Sequence, residues 1–445
     1  MTTTTYLLEH AWVGGRVEPG VVVDVEDGVI TAVTLRDRSS SPDADPRPLQ
    51  PDHVLLGLTI PGLANCHSHA FHRALRGRTQ RGRGTFWTWR DQMYVVAGRL
   101  DPDSYFELAR ATYREMVAAG ITAVGEFHYL HHQQDGSLYA DPNAMGHALL
   151  EAASEAGIRI TLLDTLYLSG GFGKPPQGVQ ARYSDGSAQA WEDRVAEIDA
   201  GPHARVGAAL HSVRAVPRDA LEHVARSQQD VLHVHLSEQV AENEACQEAY
   251  GVTPTRLLAA HGLLRPTTTL VHATHLTAAD IALIGEANAY VDFCPTTERD
   301  LGDGVGPSRR LADAGARLTL GSDSHAVIDL FEEMRAVELD ERLATMRRGH
   351  WSAAELLTAA TSTGHASLGW QDAGSIAVGK RADLVTLDLA SPRTAGAGTD
   401  EHAVVFAASA GDVLQVVADG QLVHTRDQVG EIGRELDRVI KAVHG

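Results

Sequence analysis

In this 445-residue chain, the histidines that matter chemically stand at the ends of short apolar runs. The segment PGLANCHSHAFHR (61–73) sets His67 and His69 two residues apart, so that in an extended strand both imidazoles project to one face. Two converging nitrogen donors are what a divalent metal needs at the mouth of a barrel. An H-x-H pair arises easily by chance among 23 histidines, so recurrence elsewhere has to decide. VLHVHLSEQ (231–239) puts His233 and His235 on one side of another strand, with Glu238 three residues beyond His235. LVHATH ends a third run at His272, and LTLGSDSH places Asp323 just past the last apolar residue of a fourth. Taken singly, each is as readily a buried histidine or loop aspartate satisfying backbone groups. Together they offer three neutral nitrogens and a carboxylate, a set that suits zinc and could also hold iron or manganese. A metal held this way lowers the pKa of bound water towards neutrality. Side chains beside it can then move protons.

These residues need a scaffold that brings distant strand ends to one rim. Eight apolar runs alternate with amphipathic stretches: Thr59–Ala64, Ile121–Phe127, Ile158–Asp164, Arg205–His211, Val231–Leu236, Thr268–His272, Ala289–Cys294 and Arg317–Gly321. Asp101-Pro102 and Thr253-Pro254 fit an N-cap followed by proline at the first helical position. Gly120 and Gly157 stand where helices should stop. The pattern predicts a (β/α)8 TIM-like barrel over residues 59–370, whose active site lies at the C-terminal ends of the strands. A doubly wound open sheet is the alternative. The two ends differ in style. Within the terminal parts 1–58 and 371–445, residues 6–35 and 375–425 read as short strands with turns at Asp27-Gly28 and Asp419-Gly420, the second part ending in a helix. Neither end alone has enough strands for a stable sheet, so a joint β-sandwich domain built from both is expected. SSSPDADPRPLQPD (39–52) reads as a polar loop within it.

Composition excludes several classes of partner. Lys plus Arg number 38 against 58 for Asp plus Glu, and a net charge of −20 argues against binding nucleic acid or an anionic membrane. No apolar run approaches the roughly 20 residues of a membrane span, and the N-terminus does not read as a signal peptide. Cys66, Cys246 and Cys294 are too few for a disulfide framework and read as reduced thiols of a cytoplasmic protein. Against this acidic background, six arginines and no acidic residue lie between His67 and Arg90. Arg76, Arg78, Arg81 and Arg83 read as a solvated basic loop. Arg90 follows FWTW, an aromatic stretch able to hold a guanidinium out of bulk water, and Arg214 in LHSVRAV lies just past the fourth strand. Guanidinium groups there suit bidentate carboxylate binding. The substrate expected is therefore one that carries carboxylates.

The H-x-H after strand one, H-x-x-E after strand five, His after strand six and Asp after strand eight resemble the mononuclear deaminase branch of the amidohydrolase superfamily. GSIAVGKRADLVTLD is similar to that superfamily's C-terminal β segment. The resemblance implies that His67, His69, His235 and Asp323 bind one divalent ion, zinc by family expectation. It implies that Glu238, His272 and Asp323 move protons during hydrolytic deamination. No lysine follows strand four, where the two-metal branches carry a bridging one, and His233 and His325 receive no role. FWTWR, GEFHYLHH and LHSVRAV together resemble the formimidoylglutamate deiminases, which convert N-formimino-L-glutamate to N-formyl-L-glutamate and ammonia in histidine degradation. That resemblance implies substrate contacts from Arg90, Tyr129, His211 and Arg214. It extends to His72, although some members carry glutamine there. It further implies a cytoplasmic homodimer acting on a small dicarboxylate amidine. A deaminase of aromatic amines such as guanine or cytosine is the alternative; a non-catalytic binding protein of the same fold is a remoter one.

Overall fold

The computed structural model describes residues 3–36, 51–81, 84–227 and 230–445. Arg83 and residues 39–50 of the expected polar loop lie outside the described residues. Four strands come first: β1 (Thr4–Val13), β2 (Arg16–Glu26), β3 (Val29–Leu35) and β4 (His53–Pro61). Eight parallel strands follow: β5 (Leu63–Ser68), β6 (Ile121–His128), β7 (Arg159–Leu166), β8 (Ala204–Leu210), β9 (Leu232–Leu236), β10 (Thr268–His272), β11 (Tyr290–Phe293) and β12 (Arg317–Leu320). They form one sheet in sequential order from β5 to β12, with helices between them. β5 and β12 meet at a seam rather than a full ladder. There Ser68 bridges Asp323, and the amides of Ser322 and Asp323 both donate to His67 O at 3.1 and 3.0 Å. Asn65 Nδ2 donates to Ser322 Oγ at 2.7 Å, and Asn65 Oδ1 accepts from Ser322 N at 2.9 Å. The barrel is a TIM barrel, and its seam is built by the segments that carry His67 and Asp323.

The local signals act as sequence physics requires. Helix Pro102–Ala118 starts on Asp101, whose carboxylate accepts from Ser104 N, with proline in its first turn. Thr253 caps Pro254–Ala260 in the same way. Helix Ala144–Ala156 ends on Gly157 at φ +74°, a left-handed position that glycine adopts freely. The first strand differs from expectation. Thr59–Pro61 is the end of β4 in the other sheet, and the barrel strand starts at Leu63. One uninterrupted apolar run hides the transfer. Gly62 marks it, because a Cβ there would lie 2.1 Å from Thr122 Oγ1 and 2.9 Å from Asp383 Cβ.

The second sheet takes β13 (Leu384–Leu387), β14 (Val413–Ala418) and β15 (Gln421–Thr425) from the C-terminal part. Its order is β15-β14-β13-β4-β1-β2-β3, so the antiparallel β4–β13 pair joins the two ends of the chain. Asp27 and Gly28 (φ +49° and +81°) and Asp419 and Gly420 (φ +47° and +71°) make tight hairpin turns. The sheet curls until these turns touch: Tyr6 OH donates to Gly420 O at 3.0 Å, and a Cβ on Gly28 would lie 2.9 Å from Asp419 O. Tyr6, Leu8, Val21, Val23, Leu384 and Val417 share the core so enclosed. Arg159 at the base of β7 pairs with Asp383, and with Asp419 at 3.0 Å, which ties barrel to sheet. The terminal helix Val429–His444 returns to the barrel, where Arg110 and Arg114 meet Glu435 and Glu431. Among the described residues no helix is long and apolar enough to cross a membrane.

Candidate metal centre and substrate cavity

Four side chains converge at the C-terminal rim. One donor atom each from His67, His69, His235 and Asp323 lies within 4.8 Å of all the others, and all four residues are buried. Asp323 Oδ1 is 3.4 Å from His67 Nε2 and 3.2 Å from His69 Nε2, and His235 Nε2 is 3.0 Å from His67 Nε2. The other ring nitrogens set the tautomers. His69 Nδ1 lies 3.0 Å from Phe127 O, and His235 Nδ1 lies 2.8 Å from His211 O. A carbonyl only accepts, so Nδ1 carries the hydrogen in both rings and Nε2 turns its lone pair to the centre. Burial pushes His67 down to about 4 and His235 well below the usual histidine range. Burial works against ionisation of Asp323, but the surrounding His67, His69 and His272 rings hold it well below the carboxylate range. Ring nitrogens gathered around a carboxylate are the donors a cation requires, and the set fits a divalent metal.

His233 does not join them. Two residues deeper along β9 is about 7 Å further into the barrel, where burial drives its imidazole down to about 3. His325 underlies the site. Its Nε2 is 3.1 Å from Ser68 Oγ, which donates to Glu126 at 2.6 Å. His128, His131 and Asp164 form another compact triplet. That carboxylate already accepts from Arg194 at 2.7 and 3.0 Å and from Trp191 Nε1 at 2.9 Å, so it has no oxygen to spare for a metal.

Groups able to move protons border the four donors. His272 Nε2 stands 3.8 Å from both Glu238 Oε1 and Asp323 Oδ2, and its Nδ1 is 3.4 Å from Glu298 Oε1. Burial opposes an imidazolium here. Glu238, Glu298 and Asp323 nevertheless carry His272 well above the histidine range. Burial raises the Glu238 carboxyl, with His272 pulling it down and Asp323 adding to the rise. The site thus sets a carboxyl that burial raises beside one that its neighbours lower.

A cavity of about 820 Å³ opens over these groups, and His72, Arg90, Tyr129, His211 and Arg214 all line it. His72 Nε2 is 3.1 Å from Tyr129 OH. The His211 ring packs edge-on against Tyr167, centroids 4.9 Å apart. The Arg90 guanidinium lies 4.4 Å from the Trp87 ring centre and 5.5 Å from that of Tyr94. Among the described residues neither Arg90 nor Arg214 has a carboxylate within ion-pair distance, and Arg90 Nε is buried without a partner. Two cations therefore line the cavity that also holds the metal donors, and among the described residues neither is in an ion pair.

The amidohydrolase family profile matches residues 58–423. The chain belongs to the amidohydrolase family. It is 38% identical over 385 residues to the formimidoylglutamate deiminase of Pseudomonas aeruginosa, covering 82% of this chain and 84% of that one. It is 27% identical over 431 residues to the 5-methylthioadenosine/S-adenosylhomocysteine deaminase of Natronomonas pharaonis, covering 94% and 92%. Its fold is similar to the crystal structure of an amidohydrolase from Brucella melitensis, with TM-score 0.86 and 28% identity over 99% of this chain and 100% of that one. This amidohydrolase is a hydrolase of C–N bonds, and the His/Asp cluster at its rim could hold a metal ion.

Sequence reading missed several lining residues of this amidohydrolase cavity. Tyr167 directly follows β7, a strand-end position that the barrel rule marks. Tyr94 and Tyr183 reach the cavity from outside the strands, and nothing in their spacing marks them. Glu298 gave no signal because it contacts His272 from the helix after β11. The basic loop also differs from expectation. Arg76 is not solvated: it donates to His325 O at 2.6 Å and shares Glu115 with Arg73. Glu115 projects from the neighbouring helix, a partner that local sequence cannot reveal.

Proposed function

We propose that this amidohydrolase deaminates N-formimino-L-glutamate to N-formyl-L-glutamate and ammonia, with one zinc ion held by His67, His69, His235 and Asp323. The observation that carries the reading is the pair Arg90 and Arg214 in the cavity over the four donors, neither of them in an ion pair among the described residues. A dicarboxylate supplies both missing partners, and charge-assisted bidentate bonds are the strongest contacts available to a guanidinium. The Pseudomonas aeruginosa relative, a formimidoylglutamate deiminase, supports the same substrate. When bound, zinc supplies a Lewis acid and lowers the pKa of water at the site.

The chain's own residues do the rest. Arg90 and Arg214 orient the glutamate moiety, with His72, Tyr129 and His211 closing the wall. The formimino group is an amidine, protonated near neutrality, so its carbon is already electrophilic. Asp323, ionised, accepts a proton from the attacking water. His272, 3.8 Å from both carboxylates, hydrogen-bonds the oxygen delivered by water and links Asp323 to Glu238. Glu238 delivers a proton to the departing nitrogen, so that ammonia leaves rather than amide anion, and the remaining proton of the former water passes to the Glu238 carboxylate so formed as the C–N bond breaks and the formyl C=O closes.

An aromatic wall that includes Trp89, Tyr94, Tyr129, Tyr167 and Tyr183 is the observation favouring the second reading, an aromatic amine as substrate. Ammonia release assayed side by side with formiminoglutamate, 5′-methylthioadenosine, guanine and cytosine separates them. The expected result is a kcat/KM for formiminoglutamate at least a hundredfold above the others; comparable turnover of any of the three rings overturns the reading. The cysteines Cys66, Cys246 and Cys294 are buried and unpaired, which supports a reducing compartment such as the cytoplasm. Homodimerisation belongs to the same proposal, and light scattering tests it.

A further inference from the structure

The cavity wall contains one buried carboxylate that this reaction does not use. Glu242 lies four residues beyond Glu238, in the first turn of helix Val240–Tyr250, and lines the cavity beside Arg214. Only 8% of the residue is exposed, and its Oε1 has no hydrogen-bond partner. The charged groups that face it are Arg214 from the loop after β8, Glu238 from the loop after β9 and His272 from the end of β10; Cys246 follows on its own helix. None of the charged groups forms an ion pair with it. A backbone hydrogen bond at Glu238 serves the carboxyl, but a buried carboxylate with one oxygen unserved and no ion pair carries a large desolvation cost, which favours its protonated form. Burial pushes Glu242 up to about 7, with Arg214 pulling it down and Glu238 adding to the rise. An anion arriving on Arg214 changes that balance. Ionised Glu242 repels the anion, whereas the neutral acid has an O–H to give it.

We propose that Glu242 is a substrate-binding residue: as the neutral acid it donates a hydrogen bond to the substrate carboxylate paired with Arg214, so that carboxylate binding is coupled to proton uptake at Glu242. The proposal rests on the dicarboxylate reading given above. Its consequence is an affinity that weakens as Glu242 ionises in the free enzyme. With that ionisation near neutrality, binding weakens about tenfold between pH 6 and pH 8.

Calorimetric titration of the zinc-loaded protein with glutarate, which has the same dicarboxylate chain and no formimino group, tests this in buffers of different ionisation heat. The parent protein is expected to take up about one proton per glutarate at pH 8 and little at pH 6, with the tenfold weakening above. Glu242→Gln keeps a hydrogen-bond donor but cannot titrate. Its affinity should stay level across the range, without the extra proton. A variant with the parent's slope and uptake overturns the proposal. A second measurement needs no variant. With carbon-13-labelled glutarate, the infrared difference spectrum of the parent at pH 8 should gain a protonated-carboxyl band from the protein, and its absence overturns the proposal equally. Binding without proton uptake removes Glu242 alone. Failure of glutarate to bind the parent overturns the dicarboxylate reading, and this proposal with it.

Discussion

Replacing Arg214 by alanine isolates the feature on which the substrate assignment turns. Arg214 lines the cavity but is not among the four metal donors, so zinc content should stay at one ion per chain. No carboxylate of the protein pairs with it among the described residues, so the variant strands no internal partner and its fold should hold. A bidentate charge pair in a largely desolvated cavity is worth about 3 kcal/mol, which corresponds to a loss of about 160-fold in kcat/KM for formiminoglutamate. The loss should depend on the substrate. N-Methylformamidine has the reacting amidine but no carboxylate, and parent and variant should hydrolyse it at equal, low rates. Arg214→Lys restores the charge without the planar fork and should recover only part of the loss. Coupled ammonia release with both substrates, alongside metal analysis, reads all of this. Arg214→Ala within threefold of the parent on formiminoglutamate, or an equal loss on both substrates, would refute the carboxylate assignment.

Three further outcomes follow from other parts of the structure. Removing the metal with dipicolinate should abolish turnover and lower the Tm, because a ligand at about 100 times its Kd stabilises the fold by about 2.7 kcal/mol; zinc should restore both, and full activity in metal-free protein refutes the centre. Gly321→Ala would set a Cβ 2.7 Å from both His67 Cβ and Asp292 Oδ2. Displacement of a ligand at the barrel seam should weaken zinc at least tenfold in chelator competition, and unchanged affinity would contradict the geometry. Asp164 is held at about 2: burial opposes its ionisation, but the Arg194 guanidinium outweighs it. Its folded pKa lies below the unfolded value of about 3.9, so its stabilisation is full above that value and disappears as the pH falls through about 2. Asp164→Asn should destabilise the protein by about 3–5 kcal/mol near neutrality, with a gap to the parent that narrows in acid; a gap independent of pH in denaturant titrations would refute this.

The fold was legible because parallel strands buried on both faces read as apolar runs whatever surrounds them. Seven of the eight expected runs overlap their barrel strands closely, and the first is displaced because two strands share one apolar stretch across Gly62. The donor set was legible from a different rule, that strand ends face the rim, and spacing alone left one ambiguity. His233 and His235 share a face just as His67 and His69 do. Both residues of the first pair reach the centre because β5 ends at Ser68 and His69 lies beyond it, where the chain turns into Ala70–Leu75. In the second pair, β9 continues through Leu236, so His233 remains a layer deeper. Arg76, Glu242 and Glu298 were not legible, because what defines each is a contact made across elements: a carbonyl at 325, a cavity shared with Arg214, the far nitrogen of His272.

The charges in the cavity also give the substrate a direction. Glu238 and Asp323 line the cavity and bear on His272, whereas Arg90 and Arg214 line it together with Tyr167, whose hydroxyl feels both. N-Formimino-L-glutamate has the matching polarity, a cationic amidine at one end and two carboxylates at the other. Entering amidine-first, it brings its two anions to the guanidinium groups and its reacting carbon to the metal donors; reversed, it holds its cation against the guanidinium groups. At a separation of 4 Å each such contact is worth about 4 kcal/mol in a partly screened site, so orientation is decided before any proton moves. The net charge of −20 on the whole chain makes the local arginines necessary rather than redundant, because the long-range field alone would repel a substrate whose net charge is negative. Charge reversal at Arg90, Arg90→Glu, should therefore raise KM for the dicarboxylate by more than neutral Arg90→Gln does, and added salt should narrow the difference between the two. Equal KM values for the two variants would mean that Arg90 acts through its stacking on Trp87 and Tyr94 rather than through its charge.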